Sequence, residues 1–420
     1  MNRHDGTPGL SVGVIAVGDE ILEGRILDAH SQHISEEMRR WGASVRWHLS
    51  LGDSPGELSA ALKTMPGPVD WILITGGLGP TEDDRTREEI ASALQIDLVE
   101  NDEAWQEIHR RLSRRGFEPT RNNRKQAFFP RGATVLSNPN GSAPGFSVTT
   151  SEDTRIYALP GVPHEFRAMF EEHVMGDLKS HSGLSALKGE ILDFVGVPES
   201  QLDEWISERI PDDQLFQICV RGWGQIEVRL PEGVSLQNEV AEVFGARFIG
   251  TGGLPVEEHL VQRAMDAGLS LTTAESCTGG MISSRLVNVA GSSRVFPCSW
   301  VCYSNSSKTR ELGVDPALIE KHGAVSQPVV EQMAFKAREK SGADLAISVS
   351  GVAGPGGGTE LKPVGTVWLA LATANEIRSH CYQLHGDRER IRSLTANLAL
   401  LGLLAAVRGL EVPGWSTKRS

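Results

Sequence analysis

A chain of 420 residues exceeds what one ordinary hydrophobic core organises, so two or three domains are expected. Its 40% hydrophobic and 23% charged residues are the composition of a globular protein, and a formal charge of −13 argues against a general binder of nucleic acid or anionic membrane. Five irregularly spaced cysteines read as reduced thiols of a cytoplasmic protein, and Cys298 and Cys302 lack the second pair or histidines of a zinc site.

In chain order, Leu10–Val17 is strand-like and runs into Gly18-Asp19-Glu20, with no apolar signal core before it. Ala29–Trp41 and Pro55–Lys63 read as helices around a short strand, Val45–Leu49. Trp71–Thr75 is a further strand, and it discharges Gly76-Gly77-Leu78-Gly79-Pro80 ahead of Asp83 and Asp84. This alternation predicts a parallel, three-layer α/β domain whose ligands sit at the strand C-terminal ends. There Gly76, Gly77 and Gly79 would admit a pyrophosphate, and Asp19, Asp83 and Asp84 would hold a divalent ion, with Mg, Mn and Co not distinguished. The competing reading makes Asp83 and Asp84 partners of the dipole of a helix at Arg85–Leu94. The glycines do not spell a Rossmann fingerprint, and Ala91 and Ser92 stand where a Nudix helix needs glutamates. His30 and His33, three apart, form either a metal pair or a polar helix face.

In the middle of the chain, Gly189–Gly196 and Gln225–Leu230 read as strands flanking a helix at Glu199–Ile210. A second helix follows at Val240–Phe248, then a linker at Gly250–Pro255.

The third part is the richest in chemistry. Leu269–Thr272 is a buried strand, Met281–Val289 has helical spacing, and Thr273-Ala274-Glu275-Ser276-Cys277-Thr278-Gly279-Gly280 joins them. A serine at such a turn meets free N–H groups and the positive end of a helix dipole, which suit a developing oxyanion. Cys277 is the rival nucleophile, since thiols at helix N-termini are activated. Ser299–Tyr303 reads as a second buried strand, followed by a polar turn and Lys308 opening a helix. Leu345–Ser350 is a third, entering the glycine loop Gly351–Gly358. A lysine desolvated among these strand ends can serve a serine as general base, so the pattern suggests hydrolysis of an amide or ester. Gly354 and Gly356 could line a phosphate, and Arg388, opening the last helix, is a candidate partner for it. The apolar run Leu398–Val407 is too short to span a bilayer and reads as a core helix, with a frayed tail from Pro413 to Ser420.

The motifs Thr273–Gly280, Tyr303-Ser304-Asn305 with Lys308, His322–Ser326, Ser350–Gly358 and Lys362–Trp368 resemble the CinA C-terminal family. Gly18–Gly24, Thr75–Thr86, Asn123–Ala127, Asn138–Phe146 and Leu159–Pro163 resemble the CinA N-terminal domain, itself similar to molybdopterin-binding domains. The resemblance implies three domains. They are a molybdopterin-binding-like α/β domain at 1–176, a small KH-like α+β module at 177–252, and an α/β deamidase domain at 253–412, before a tail at 413–420. It implies deamidation of nicotinamide mononucleotide without a metal or other cofactor, with Ser276 as nucleophile, Lys308 as general base, Tyr303 as third member and Ser350 as a lining hydroxyl. Cys277, Thr278, Gly279 and Gly280 surround the substrate, and the amides of Cys277 to Gly279 face the oxyanion. For the N-terminal domain it implies metal-dependent hydrolysis of ADP-ribose, and the family usually has asparagine where His30 stands. A homodimer is expected on the same ground. Arg221-Gly222-Trp223-Gly224 only approximates the RNA clamp of a KH domain, so this module reads as a structural spacer or dimer element. The rival reading is a non-catalytic pterin- or nucleotide-binding protein, or an assembly factor connected with DNA uptake.

Overall fold

The computed structural model describes residues 9–181, 189–211, 214–222, 224–412 and 414–419. They form two compact units, Met1–Lys188 and Gly189–Ser420.

The first unit is built on a six-stranded sheet of order β2-β1-β3-β8-β7-β6, with β1 Ser11–Val17, β2 Ser44–Leu51, β3 Trp71–Thr75, β6 Thr134–Leu136, β7 Gly145–Thr149 and β8 Arg155–Leu159. A separate ribbon pairs β4 (Leu98–Glu100) with β5 (Phe128–Pro130). β2, β1, β3 and β8 are parallel, and β7 and β6 extend the sheet antiparallel. Period-two alternation sends Ile15, Ile72, Ile74 and Ile156 into one core and Val12, Val14, Leu73 and Tyr157 into the other. Burial on both faces makes the three layers, as expected from the unbroken apolar runs.

The second unit carries two sheets. The first has the order β10-β11-β9-β12, all antiparallel: β9 Ile191–Val195, β10 Gln217–Val220, β11 Gln225–Arg229 and β12 Phe248–Thr251. Helices Glu199–Ser207 and Gln237–Phe244 supply Leu202, Ile206, Val240 and Phe244 to its core. The segment expected as a linker, Gly250–Pro255, is held along much of its length. Gly250 and Thr251 belong to β12, and the N–H groups of Gly253 and Leu254 donate to Oδ2 of the buried Asp193 at 2.9 and 3.1 Å. Arg221 and Gln225 hold the carbonyls of Gly253 and Leu254. Glycine and proline signal a loop, but the carboxylate that staples it comes from a distant strand. Gly224 of the clamp-like turn lies against Leu394; Trp223 is outside the described residues.

The second sheet has the order β14-β13-β15-β16-β17-β18. Its strands are β13 Leu271–Glu275, β14 Cys298–Val301, β15 Leu345–Gly351, β16 Thr366–Ala372, β17 Glu376–Gln383 and β18 Ser416–Arg419. β14, β13 and β15 are parallel, so their C-terminal ends share one edge, and the rest are antiparallel. β14 is the edge strand and is largely half-exposed, not buried as its apolar residues suggest. Within the tail expected to fray, Ser416–Arg419 pair as β18 on the opposite edge. Helix Arg388–Val407 has 20 residues and by length and composition would cross a bilayer, yet 61% of its apolar window is buried in protein. It packs Ile391, Leu400, Leu403 and Leu404 against Ile347, Val349 and Leu369 of the sheet. Small residues on the opposite face, Ala274, Ala346 and Ala370, admit helix Gln327–Ser341.

Candidate active site

Ser276 is the first residue after β13, and its N–H donates to the Val349 carbonyl, which pins it beside the end of β15. The turn then folds back through Gly279 and Gly280, whose φ values of 63° and 93° favour glycine, and helix Met281–Asn288 begins. Ser276 is 7% exposed.

Lys308 reaches the same point from the end of β14. Ser304 caps a short helical turn, and a π-helical turn, Lys308–Leu312, carries the lysine inward until it is 1% exposed. Its Nζ lies 2.8 Å from Ser276 Oγ, 2.8 Å from the Cys302 carbonyl oxygen and 3.3 Å from that of Tyr303. All three partners are neutral oxygens and no carboxylate compensates for burying an ammonium, so burial lowers the Lys308 pKa from the ordinary lysine range. A neutral amine has two N–H groups and one lone pair. The two carbonyls can accept the N–H groups, which leaves the lone pair for the Ser276 hydroxyl.

Cys277 follows the serine, but its side chain joins the core under the turn and meets Gly351. Burial pushes its thiol up to about 12, so it stays protonated at neutral pH. The sequence offered Cys277 as the rival to Ser276; geometry and ionisation both favour Ser276.

Two features of the turn differ from expectation. The N-terminus of helix Met281–Asn288 is already filled, because buried Glu275 accepts from the N–H groups of Gly280, Ile282 and Ser283 at 2.9, 3.2 and 2.8 Å. The Gly279 amide is also committed, to the Ser276 carbonyl. Among the described residues, neither the Cys277 nor the Thr278 N–H has a backbone acceptor, so of the three expected oxyanion donors only Gly279 drops out. Tyr303, for its part, brings its carbonyl to Lys308, whereas its side chain is 62% exposed and its hydroxyl accepts from Arg388 at 3.0 Å. Ser350 is buried next to Val349 and thus lies beside the serine along β15.

Arg388 is exposed at the start of its helix and also donates to the Gly354 carbonyl at 2.7 Å, tying Tyr303 to the glycine loop. Gly356 lies on the exposed part of that loop with open space at its Cα. Glu275 and Arg392 were missed as functional candidates. Arg392 lies one turn after Arg388 on the same helix, a spacing that is a usable signal.

In the first unit a cavity of about 520 Å³ opens at the C-terminal ends of β1 and β3. Gly76, Gly77 and Gly79 line it. The close approach is real at Gly76, where φ is 101° and a Cβ would stand 2.1 Å from the Val17 carbonyl oxygen. Buried Arg87 braces this loop, donating to the Leu78 and Pro144 carbonyls at 3.0 Å each, and burial lowers its pKa to about 10. Glu20, Asp28, Asp53, Asp83, Asp84 and Glu165 also line the cavity. Asp19 does not; its carboxylate accepts from the Asp53 N–H at 3.1 Å. Asp84 Oδ2 accepts from the Thr81 N–H at 2.9 Å and from its hydroxyl. Burial, with repulsion from Asp19, Glu20 and Asp83, raises the Asp53 pKa. Among the described residues no three His, Cys, Asp or Glu side chains gather as a metal cage, so the expected trio Asp19, Asp83 and Asp84 is not a preformed site. His30 and His33 pack on phenylalanine instead: His30 stacks on Phe166 at 4.1 Å, and burial lowers the pKa of both rings.

Two family models match this architecture, one described as a probable molybdopterin binding domain over residues 13–180 and one as the CinA C-terminal domain over 254–407. The chain is 36% identical over 390 residues to a putative competence-damage inducible protein of Caldanaerobacter subterraneus, covering 90% of this chain and 94% of that one. It is 38% identical over 400 residues to a CinA-like protein of Citrifermentans bemidjiense, covering 93% and 96%. A CinA-like protein of Anaeromyxobacter dehalogenans is 35% identical over 412 residues, covering 95% and 100%. With likeness of this order along nearly the whole length of both partners, the chain belongs to the CinA family.

Proposed function

We propose that the second unit hydrolyses the carboxamide of nicotinamide mononucleotide to the acid and ammonia. The observation that carries this reading is the buried, carboxylate-free approach of Lys308 Nζ to Ser276 Oγ at 2.8 Å. Lys308 takes the serine proton as Oγ attacks the amide carbon. The resulting lysinium gives that proton to the departing nitrogen, so the C–N bond breaks, ammonia leaves and an acyl-serine remains. Water, deprotonated by the same amine, then adds to the acyl carbon and regenerates Ser276 as nicotinate mononucleotide leaves. No step needs a metal. Arg388, exposed at the glycine loop, would meet the nucleotide's phosphate. Hydroxylamine tests the covalent step. It should intercept the acyl-enzyme and give the hydroxamate in competition with the acid; turnover with no hydroxamate at any concentration would point to direct attack by water.

For the first unit, the glycine-lined cavity rimmed with carboxylates supports hydrolysis of ADP-ribose with a divalent ion. The ion would be held by Asp83 and Asp84 together with the substrate's own phosphates, since the described side chains form no closed cage. Asp84→Ala should lower metal-dependent release of AMP by about 10²-fold or more, whereas unchanged release would remove Asp84 from the site. A second reading rests on the pterin-binding family model over residues 13–180 and on the apolar lip Ile21, Ile26 and Leu27. Thermal-shift titration separates the two: stabilisation by a pterin without ADP-ribose turnover would favour binding alone.

A further inference from the structure

The nucleophile's turn is gripped by two buried or half-buried charges of opposite sign. Glu275 holds its N–H groups on the helix side. From the opposite side Arg392 donates through Nε to the Cys277 carbonyl at 3.2 Å and through Nη2 to the Thr278 carbonyl at 2.7 Å. These two carbonyls follow Ser276 directly, and a planar trans peptide points each C=O and the next N–H in opposite directions. Fixing the Cys277 carbonyl on Arg392 therefore turns the Thr278 N–H away from the arginine. Fixing the Thr278 carbonyl turns the Gly279 N–H likewise, and that N–H donates to the Ser276 carbonyl. A planar guanidinium offers two donors in a fixed fork, which an ammonium cannot reproduce. Arg392 makes no described contact with Ser276 or Lys308, and it pairs with no carboxylate among the described ion pairs. A cation half-buried against two peptide carbonyls is an expensive way to close a turn unless the orientation of those peptides matters.

We propose that Arg392 is a positioning residue for amide hydrolysis: it clamps the Cys277 and Thr278 peptides so that the Thr278 N–H is preset as an oxyanion donor beside Ser276. This rests on the reading of Ser276 as nucleophile and adds the group that orients its oxyanion site. Arg392 acts on the tetrahedral intermediate through the Thr278 amide and leaves substrate binding alone.

Arg392→Ala and Arg392→Lys in the full-length chain test it. Arg392→Ala should lower kcat for nicotinamide mononucleotide by about 10²-fold, the usual cost of one oxyanion donor, with KM changed less than about threefold. The pH profile set by Lys308 should keep its midpoint. Guanidinium ions at millimolar concentration should restore part of kcat, and Arg392→Lys, able to serve one carbonyl, should fall between. Phosphonylation of Ser276 by a fluorophosphonate also passes through a charged oxygen and does not depend on which amide is the substrate, so it should slow by a similar factor. Wild-type labelling without deamidation would fail the substrate assignment and leave the clamp testable by its labelling rate. Normal kcat and labelling in Arg392→Lys, or a loss in Arg392→Ala that appears in KM and ignores guanidinium, would overturn the proposal.

Discussion

Ser276→Ala should abolish deamidation, with kcat reduced by on the order of 10³-fold or more and the fold intact. The change removes one oxygen from a 7% exposed position and leaves the Ser276 N–H on Val349 untouched. Lys308 keeps its two carbonyl acceptors, so the site does not collapse around the loss. Cys277→Ala is the matched control. Its thiol sits in the core with its pKa pushed up to about 12, and truncation costs packing and no nucleophile. It should retain activity within about tenfold of wild type once the protein is folded. Retained turnover in Ser276→Ala with loss in Cys277→Ala would move the nucleophile to sulfur.

Lys308→Met should cost a comparable factor in kcat, and its second signature lies in stability. Burial lowers the lysine's pKa in the folded chain, while the unfolded chain titrates near 10.4. As pH falls below about 10.4 the unfolded chain gains a proton that the folded site still refuses, so wild-type stability declines until the folded pKa is passed. Methionine has no such titration. The difference in Tm between Lys308→Met and wild type should therefore shift in the variant's favour on going from about pH 10.5 to pH 7. Activity of wild type should rise with pH through a midpoint below the ordinary lysine value. A pH-independent difference in Tm, or an activity limb unchanged in a residually active Lys308→Arg variant, would contradict a neutral lysine base.

The parts of this protein that were legible in its sequence are those set by local pattern. The apolar runs of β1 and β3 announced strands buried on both faces, and a serine between a strand and an amphipathic helix marked Ser276 as a candidate nucleophile. A desolvated Lys308 was expected from the strand ends, but the π-helical turn that carries it inward was not legible. Neither was the role of Glu275, which reads as one more polar residue until the helix folds back onto its carboxylate. Tyr303 lies next to the site in sequence, yet its backbone and not its ring serves the lysine. Asp19 sits in an acidic loop near the glycines but turns towards Asp53, a partner 34 residues away. The edge strands β10 and β18 lack the apolar alternation that marks a half-buried strand, so pairing alone defines them.

The most direct measurement is release of ammonia and nicotinate mononucleotide from nicotinamide mononucleotide by the purified full-length protein in EDTA. Equimolar release of both products, at a rate unaffected by the chelator, is the predicted result. A folded protein that releases neither would contradict the central claim that Ser276 and Lys308 form an amidohydrolase acting on this nucleotide.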